Sequence, residues 1–289
     1  MLQLNCILRF QAQFPPLPAN VLELDDVSAY DVANANLKLA IDFAKNFAPE
    51  QKVAILFPDE AEANIGIDNI GGISTPHPGV SISSLRKSEE GDDRIFKPEQ
   101  ILLSLFGQGS SGSVRAMEGI DLYVCIVASA QELPDIEELS KLEPNKTIVF
   151  FNLKLDILRG DLGAPAFPPR DFQDRFLSTV KPVYYLRTRQ YSRSTPRPPF
   201  MVNYQGCLFR SYPGQFQTLL DTGTGNYRRV LGSDIRPGLG EFKEQLTEAL
   251  RVEGVLEAEG KTLNFLRNGY KTSTWWEEER PEASDFWKT

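Results

Sequence analysis

Apolar and polar positions along this chain follow two rhythms in turn, a helical one interleaved with short apolar runs and then a two-residue alternation. Val32, Ala35, Leu39, Phe43 and Phe47 recur at helical spacing. Ser28 or Asp31 can cap the start of that helix, and Pro49 lies just past its end. Val53 to Phe57 is wholly apolar, as in a strand buried on both faces. Pro58-Asp59 ends the run, and a helix starts near Asp59. Residues 64–99 are rich in Gly, Pro, Ser and charge, with one strand around Val80 to Leu85 and a solvated loop at "RKSEEGDD". Helices are predicted at 97–106, with Pro98 in the first turn, at 133–142 and at 170–180. Strands are predicted at 121–129, 146–155 and 182–190.

After residue 190 the rhythm changes. "FMVNYQGCLFRSY", "GQFQTLLDTG" and "NYRRVLGSD" read as short strands, and "TGTGN" at 222–226 is a turn. "GLGEFKEQLTEALRVEG" is an amphipathic helix with Leu239, Phe242, Leu246 and Leu250 on one face. Strands alternating with helices argue for a parallel sheet with right-handed crossovers. The predicted fold class is α/β: a Rossmann-like, mostly parallel sheet flanked by helices, with an antiparallel β extension near the C-terminal half. One domain over 1–254 is expected, its first 28 residues irregular, followed by an acidic tail over 255–289 that contains the tryptophans.

Composition then removes several function classes. A net charge of -8 argues against nucleic acid as a general partner. The longest apolar run, Leu122 to Ala130, is far short of the roughly 20 residues of a membrane helix. No signal peptide is read at the N-terminus, and a cytoplasmic location is expected. Cys6, Cys125 and Cys207 are widely spaced, and Cys125 lies within an apolar run, so it reads as a buried thiol. The single histidine, His77, sits between prolines on a loop. That leaves no zinc cluster and no Ser-His-Asp device, so no metal, cofactor or catalytic residue is expected.

Two candidate sites remain. "GQGSSG" at 107–112 matches the glycine spacing of a dinucleotide loop, but the segment before it reads as helix and the crossover after it is too short. A small-molecule reading would use Asp59, Gly107, Gly109, Gly112 and Asn152 near strand ends, where open α/β sheets bind ligands. Asp59 also fits a helix N-cap. The second candidate is a charge pattern. From Arg175 to Leu220 there is no acid, while the window holds Arg187, Arg189, Arg193, Arg197 and Arg210. Arg187 and Arg189 share a strand face by the period of two. These arginines can neutralise the chain's own acids, or they can form a surface for an acidic partner, a phosphate or an anionic membrane. Trp275, Trp276 and Trp287 all lie in the last 15 residues. They can dock on the chain itself or on a partner.

"VAILFPDEAEA", "VFFNLKLD", "VYYLRTRQYSR" and "LFRSYPGQFQ" occur in that order. In these pieces the chain resembles a domain-of-unknown-function family of cyanobacteria and plastids. That family includes the low-photosystem-II-accumulation chloroplast proteins and the C-terminal domain of some chloroplast adenylate kinases. The resemblance covers about residues 30–250. This chain has Leu153 where the family often has Pro after Asn, and Phe216 where it often has Trp. The resemblance implies a soluble protein connected with photosynthesis, with a photosynthetic protein or complex as partner and no catalytic residue to carry over. Photosystem II accumulation or biogenesis is the process it points to. The expected function is a non-enzymatic assembly or regulatory factor that binds through the arginine-rich face. A nucleotide- or phosphometabolite-binding protein or enzyme, and a peripheral thylakoid-surface protein, are the alternatives.

Overall fold

A computed structural model describes residues 8–18, 21, 25–87, 112–158, 169–195, 197–256 and 277–289. The chain divides into two units, Met1–Pro169 and Arg170–Thr289.

The first unit is built on a five-stranded parallel sheet. Its strands are β1 (Arg9–Gln13), β2 (Val53–Phe57), β3 (Val80–Ser84), β6 (Leu122–Cys125) and β7 (Thr147–Phe151). The spatial order is β1-β7-β6-β2-β3. Helices α1 (Ala29–Ala44), α2 (Glu60–Asn69) and α3 (Leu133–Leu142) lie between the strands, α4 (Leu155–Leu158) follows β7, and a small antiparallel pair, β4 (Arg86–Lys87) with β5 (Ser113–Val114), follows β3. Every residue of β2 is buried, as an inner parallel strand requires. Ser28 caps α1 and Asp31 reciprocates, so both candidate caps act in one capping box. The core on one side of the sheet gathers Leu37, Ala40, Ile55, Val124 and Phe151, with Phe43 and Phe14 against Phe151.

Strand β1 corrects the reading of the N-terminal segment as irregular. Phe10 and Ala12 pack toward the core, while Gln11 and Gln13 are buried on the other side. Its parallel register with β7, Arg9 opposite Ile148, holds it in the sheet.

The second unit is antiparallel. Strands β8 (Lys181–Ser194), β9 (Met201–Ser211), β10 (Phe216–Asp221) and β11 (Tyr227–Ser233) pair in chain order. Helix α5 (Arg170–Arg175) and a 3-10 turn over Leu177–Thr179 precede them, and α6 (Leu239–Val252) follows. Strand β8 runs four residues beyond the predicted end at 190. Phe242, Leu246 and Leu250 of α6 pack on Tyr185, Tyr204, Leu208, Phe216 and Leu220, which defines the covered face of this sheet. The Tyr204 hydroxyl and Thr247 Oγ1 meet at 3.0 Å and tie β9 to the helix. Gly206 lies directly under Leu246, where even a methyl group would clash.

The parallel sheet flanked by helices and the antiparallel strands after it are those the sequence pattern predicts. The helix expected at 97–106 lies outside the described residues, as do Cys6, Gly107, Gly109, Trp275 and Trp276.

Candidate functional site

The arginine-rich strand pair is the hairpin β8–β9, and its alternation decides where each cation goes. Tyr185, Arg187, Arg189, Tyr191 and Arg193 share one face of β8. Tyr185 and Tyr191 pack in the core beneath α6, so Arg187 and Arg189 lie between two anchored rings on the covered face. Their cross-strand neighbours are Leu208 and Gly206. Arg187, Arg189, Arg236, Leu239, Phe242 and Glu277 line a crevice of about 10 Å³, room for about one water molecule. Burial raises the Tyr191 phenol, and the charges of Arg189 and Arg187 partly oppose that rise.

Arg236 sits deepest, 8% exposed. Its guanidinium lies 4.7 Å from the Tyr185 ring and 5.6 Å from Trp287, and its Nη2 donates to the Tyr185 hydroxyl at 2.9 Å. Trp287 is 6% exposed, and its backbone N–H donates to Ser178 at 3.3 Å. Arg280 binds both carboxylate oxygens of Asp174, at 2.9 and 2.8 Å. The described part of the tail, 277–289, therefore docks on the chain's own second unit.

Glu277 completes the crevice. Helix α6 starts at Gly238, whose lack of a side chain leaves the helix without a side-chain cap of its own. Glu277 Oε1 accepts from the Leu239 backbone N–H at 2.7 Å, so a carboxylate 38 residues away takes the capping position. A Cβ on Gly238 would come within 3.6 Å of that carboxylate. An anion at a helix N-terminus is favoured by the macrodipole. Beside it opens a second cavity of about 260 Å³, bordered by Arg236, Pro237, Gly238, Glu277, Glu279 and Trp287.

The other end of the hairpin is exposed. Arg193 is half-buried and pairs across to Val202, while Arg197 is exposed in the connection. Phe200 and Met201 are 61% and 55% exposed. Phe200 has φ 57, a left-handed conformation rarely adopted by a bulky residue. Its N–H donates to the Arg197 carbonyl at 2.8 Å, and its carbonyl accepts from the Thr195 N–H at 2.9 Å, which fixes the tip.

Arg210 departs from the expected surface. It is 4% exposed, its Nε donates to the Gly214 carbonyl at 3.2 Å, and it stacks on Phe216 at 4.4 Å and Tyr212 at 5.2 Å. Burial pushes its guanidinium below the usual range. Its row on β9 faces the core, so it braces the turn and is withdrawn from partners.

The candidate ligand residues of the first unit have structural duties. Asp59 caps α2, accepting from the Glu62 N–H at 2.9 Å. Asn152 is buried with φ 55; its Nδ2 donates to Asn36 at 2.9 Å and its Oδ1 accepts from the Phe14 N–H at 2.8 Å. Gly112 has φ 108, and a Cβ there would lie 2.5 Å from the Lys87 carbonyl, so this glycine serves the close approach of β5 to β4. Connections leave β2 toward β3 and enter β6 on the other side of β2, which makes the ends of β2 and β6 a topological switch point. Glu62 stands there, a residue the sequence reading passed over although it lies three positions after Asp59 at the helix start. Glu62 is solvent-exposed, and partial desolvation by its surroundings together with the charges of Asp59 and Glu132 raises its carboxyl from 4.5 to about 7. Val127, after β6, is held at φ 64, and Arg86 pairs with Asp135 at 2.6 Å nearby in the fold, bridging β4 and α3. Cys125 and Cys207 are buried, and burial pushes both thiols up to about 12.

A family profile described as "Domain of unknown function (DUF1995)" matches residues 4–244. No curated protein and no solved structure matches the chain significantly.

Proposed function

The chain belongs to the DUF1995 domain family, and we propose that it acts as a non-enzymatic binding factor that grips a protein partner with the β8–β9 hairpin. The observation that carries this reading is the hairpin tip, which exposes Phe200 and Met201 beside Arg193 and Arg197. Arg, aromatic residues and Met are the side chains enriched at the centres of protein interfaces. No acid lies between Arg175 and Leu220 to oppose an acidic partner. The strained backbone of Phe200 holds the ring outward, a conformation that costs about 1–3 kcal/mol elsewhere. A role in the assembly or accumulation of photosystem II rests on the family resemblance of the sequence motifs.

The test is affinity capture from a lysate of photosynthetic cells with the full chain and with an Arg193→Glu/Arg197→Glu/Phe200→Ser variant. Loss of photosystem II subunits from the variant supports the reading, and equal recovery overturns it. The same tip chemistry would also suit an anionic membrane. Salt-sensitive sedimentation of the chain with phosphatidylglycerol vesicles, abolished by the same variant, would move the reading to a lipid surface.

A second reading places a small molecule at the switch point of the first unit. Val127 and Glu62 favour it, because strain and shifted carboxyl groups gather at binding sites. The three carboxylates of Asp59, Glu62 and Glu132 oppose a phosphate there, so this reading fits a cationic or neutral ligand better. A thermal-shift screen of nucleotides, sugar phosphates and amines tests it, and a flat screen removes it.

A further inference from the structure

We infer that the crevice at the start of α6 is an oxyanion-binding site, and that the Glu277 carboxylate of the C-terminal segment is its internal stand-in ligand. The inference concerns the base of the β8 arginine row and stands independently of the hairpin tip.

Three observations meet there. Arg187, Arg189 and Arg236 arrive from two segments of the unit and border one crevice. Helix α6 spans 14 residues and begins on Gly238 without a side-chain cap, so its first N–H groups face an acceptor from elsewhere. That acceptor is present: Glu277 Oε1 lies 2.7 Å from the Leu239 nitrogen. The helix terminus is thus capped by the kind of group the crevice would take. A planar carboxylate or a phosphate matches both the guanidinium forks and the helix terminus.

The occupant and the site have different origins in the chain. Arg187, Arg189, Arg236 and Leu239 lie within the family-matched range 4–244, and Glu277 lies outside it. The neighbouring cavity of about 260 Å³, bordered by Arg236, Gly238 and Glu277, gives an incoming group room beside the carboxylate it displaces. The crevice itself holds about one water while Glu277 is seated, so entry requires Glu277 to leave. An acidic peptide segment and a phosphate-bearing ligand share this chemistry.

The 289-residue chain, its Glu277→Ala variant and its Glu277→Gln variant are titrated by calorimetry with two probes, inorganic phosphate and the peptide Ser-Thr-Trp-Trp-Glu-Glu-Glu-Arg-Pro-Glu-Ala-Ser. Removing the internal competitor should tighten at least one probe by about tenfold or more, a typical coupling between competing sites. Adding Arg187→Gln and Arg189→Gln should abolish the gain. Glu277→Gln keeps an acceptor for the Leu239 N–H while deleting the charge, so it decides the matter if Glu277→Ala loses its far-UV circular dichroism. Gain for the peptide alone assigns an acidic segment, and gain for phosphate alone assigns a phosphorylated ligand. Equal affinity in wild type and both Glu277 variants, or a gain that survives the arginine changes, overturns the inference. Partner capture that depends on the hairpin tip would be untouched by either failure, so the two readings fall separately.

Discussion

Replacing Arg236 with Met should loosen the C-terminal segment measurably. The guanidinium is 8% exposed, lies 4.7 Å from the Tyr185 ring and 5.6 Å from Trp287, and donates to the Tyr185 hydroxyl at 2.9 Å. A desolvated cation–π contact at the shorter distance contributes about 1 kcal/mol, and the longer one, near the outer limit, about 0.5 kcal/mol. The hydrogen bond from a charged donor adds about 1.5 kcal/mol. Met fills similar length and spares the desolvation of a buried cation, which returns about 1 kcal/mol. The net loss is about 2 kcal/mol. With a urea slope of about 2 kcal/mol per molar, the midpoint falls by about 1 M. Tryptophan fluorescence is the right probe, because all three tryptophans lie in residues 275–287 and report on the tail. Amide exchange at Trp287 and Lys288 locates the change. The Arg236 N–H to Lys288 carbonyl bond at 2.7 Å is a backbone contact and survives the substitution. An unchanged midpoint with unchanged exchange at 287–288 would refute the anchoring role of the side chain.

Two substitutions test other parts of the fold. Gly206→Ala puts a Cβ 2.7 Å from Leu246 Cδ2 and 2.9 Å from the Leu219 carbonyl, so overpacking should cost about 1–3 kcal/mol, read as a lower melting temperature with native far-UV dichroism. Glu62 binds its proton more tightly in the folded state, from 4.5 up to about 7, so stability falls as pH rises through that window; Glu62→Gln should raise the melting temperature relative to wild type at pH 8 and leave it unchanged at pH 4, and an equal gain at both values would dismiss the shifted carboxyl.

What the sequence made legible, and what it hid, divides along one physical line. Segments whose apolar residues do the burying were readable. Val53–Phe57 announces an inner strand, and the Phe242, Leu246, Leu250 row announces the core face of α6, because each pattern is local and period alone assigns the side. Strand β1 was hidden because Gln11 and Gln13 are buried polar residues; the Gln13 side chain accepts from the Lys154 N–H at 2.8 Å, a partner 141 positions away. The arginine window was equally visible as composition and opaque as geometry. Period two places Arg187 with Arg189, but it also places Tyr185 and Tyr191 in the same row, and those rings were the available signal that this row faces the helix. Arg210 stands in the row of Tyr204 and Leu208, which are core, so it follows them inward. Glu277 left a single local trace, a helix start on Gly238 with no side chain to cap it. The arginines therefore separate into three duties that charge counting merges. Arg210 and Arg236 are stacked inside the unit, Arg187 and Arg189 face the carboxylate site, and Arg193 and Arg197 flank the exposed tip. Under the proposed function the last pair is the one offered to a protein partner at the tip, while the crevice arginines take the group that displaces Glu277, so the tip variant and the Glu277 variant probe different functions of one strand.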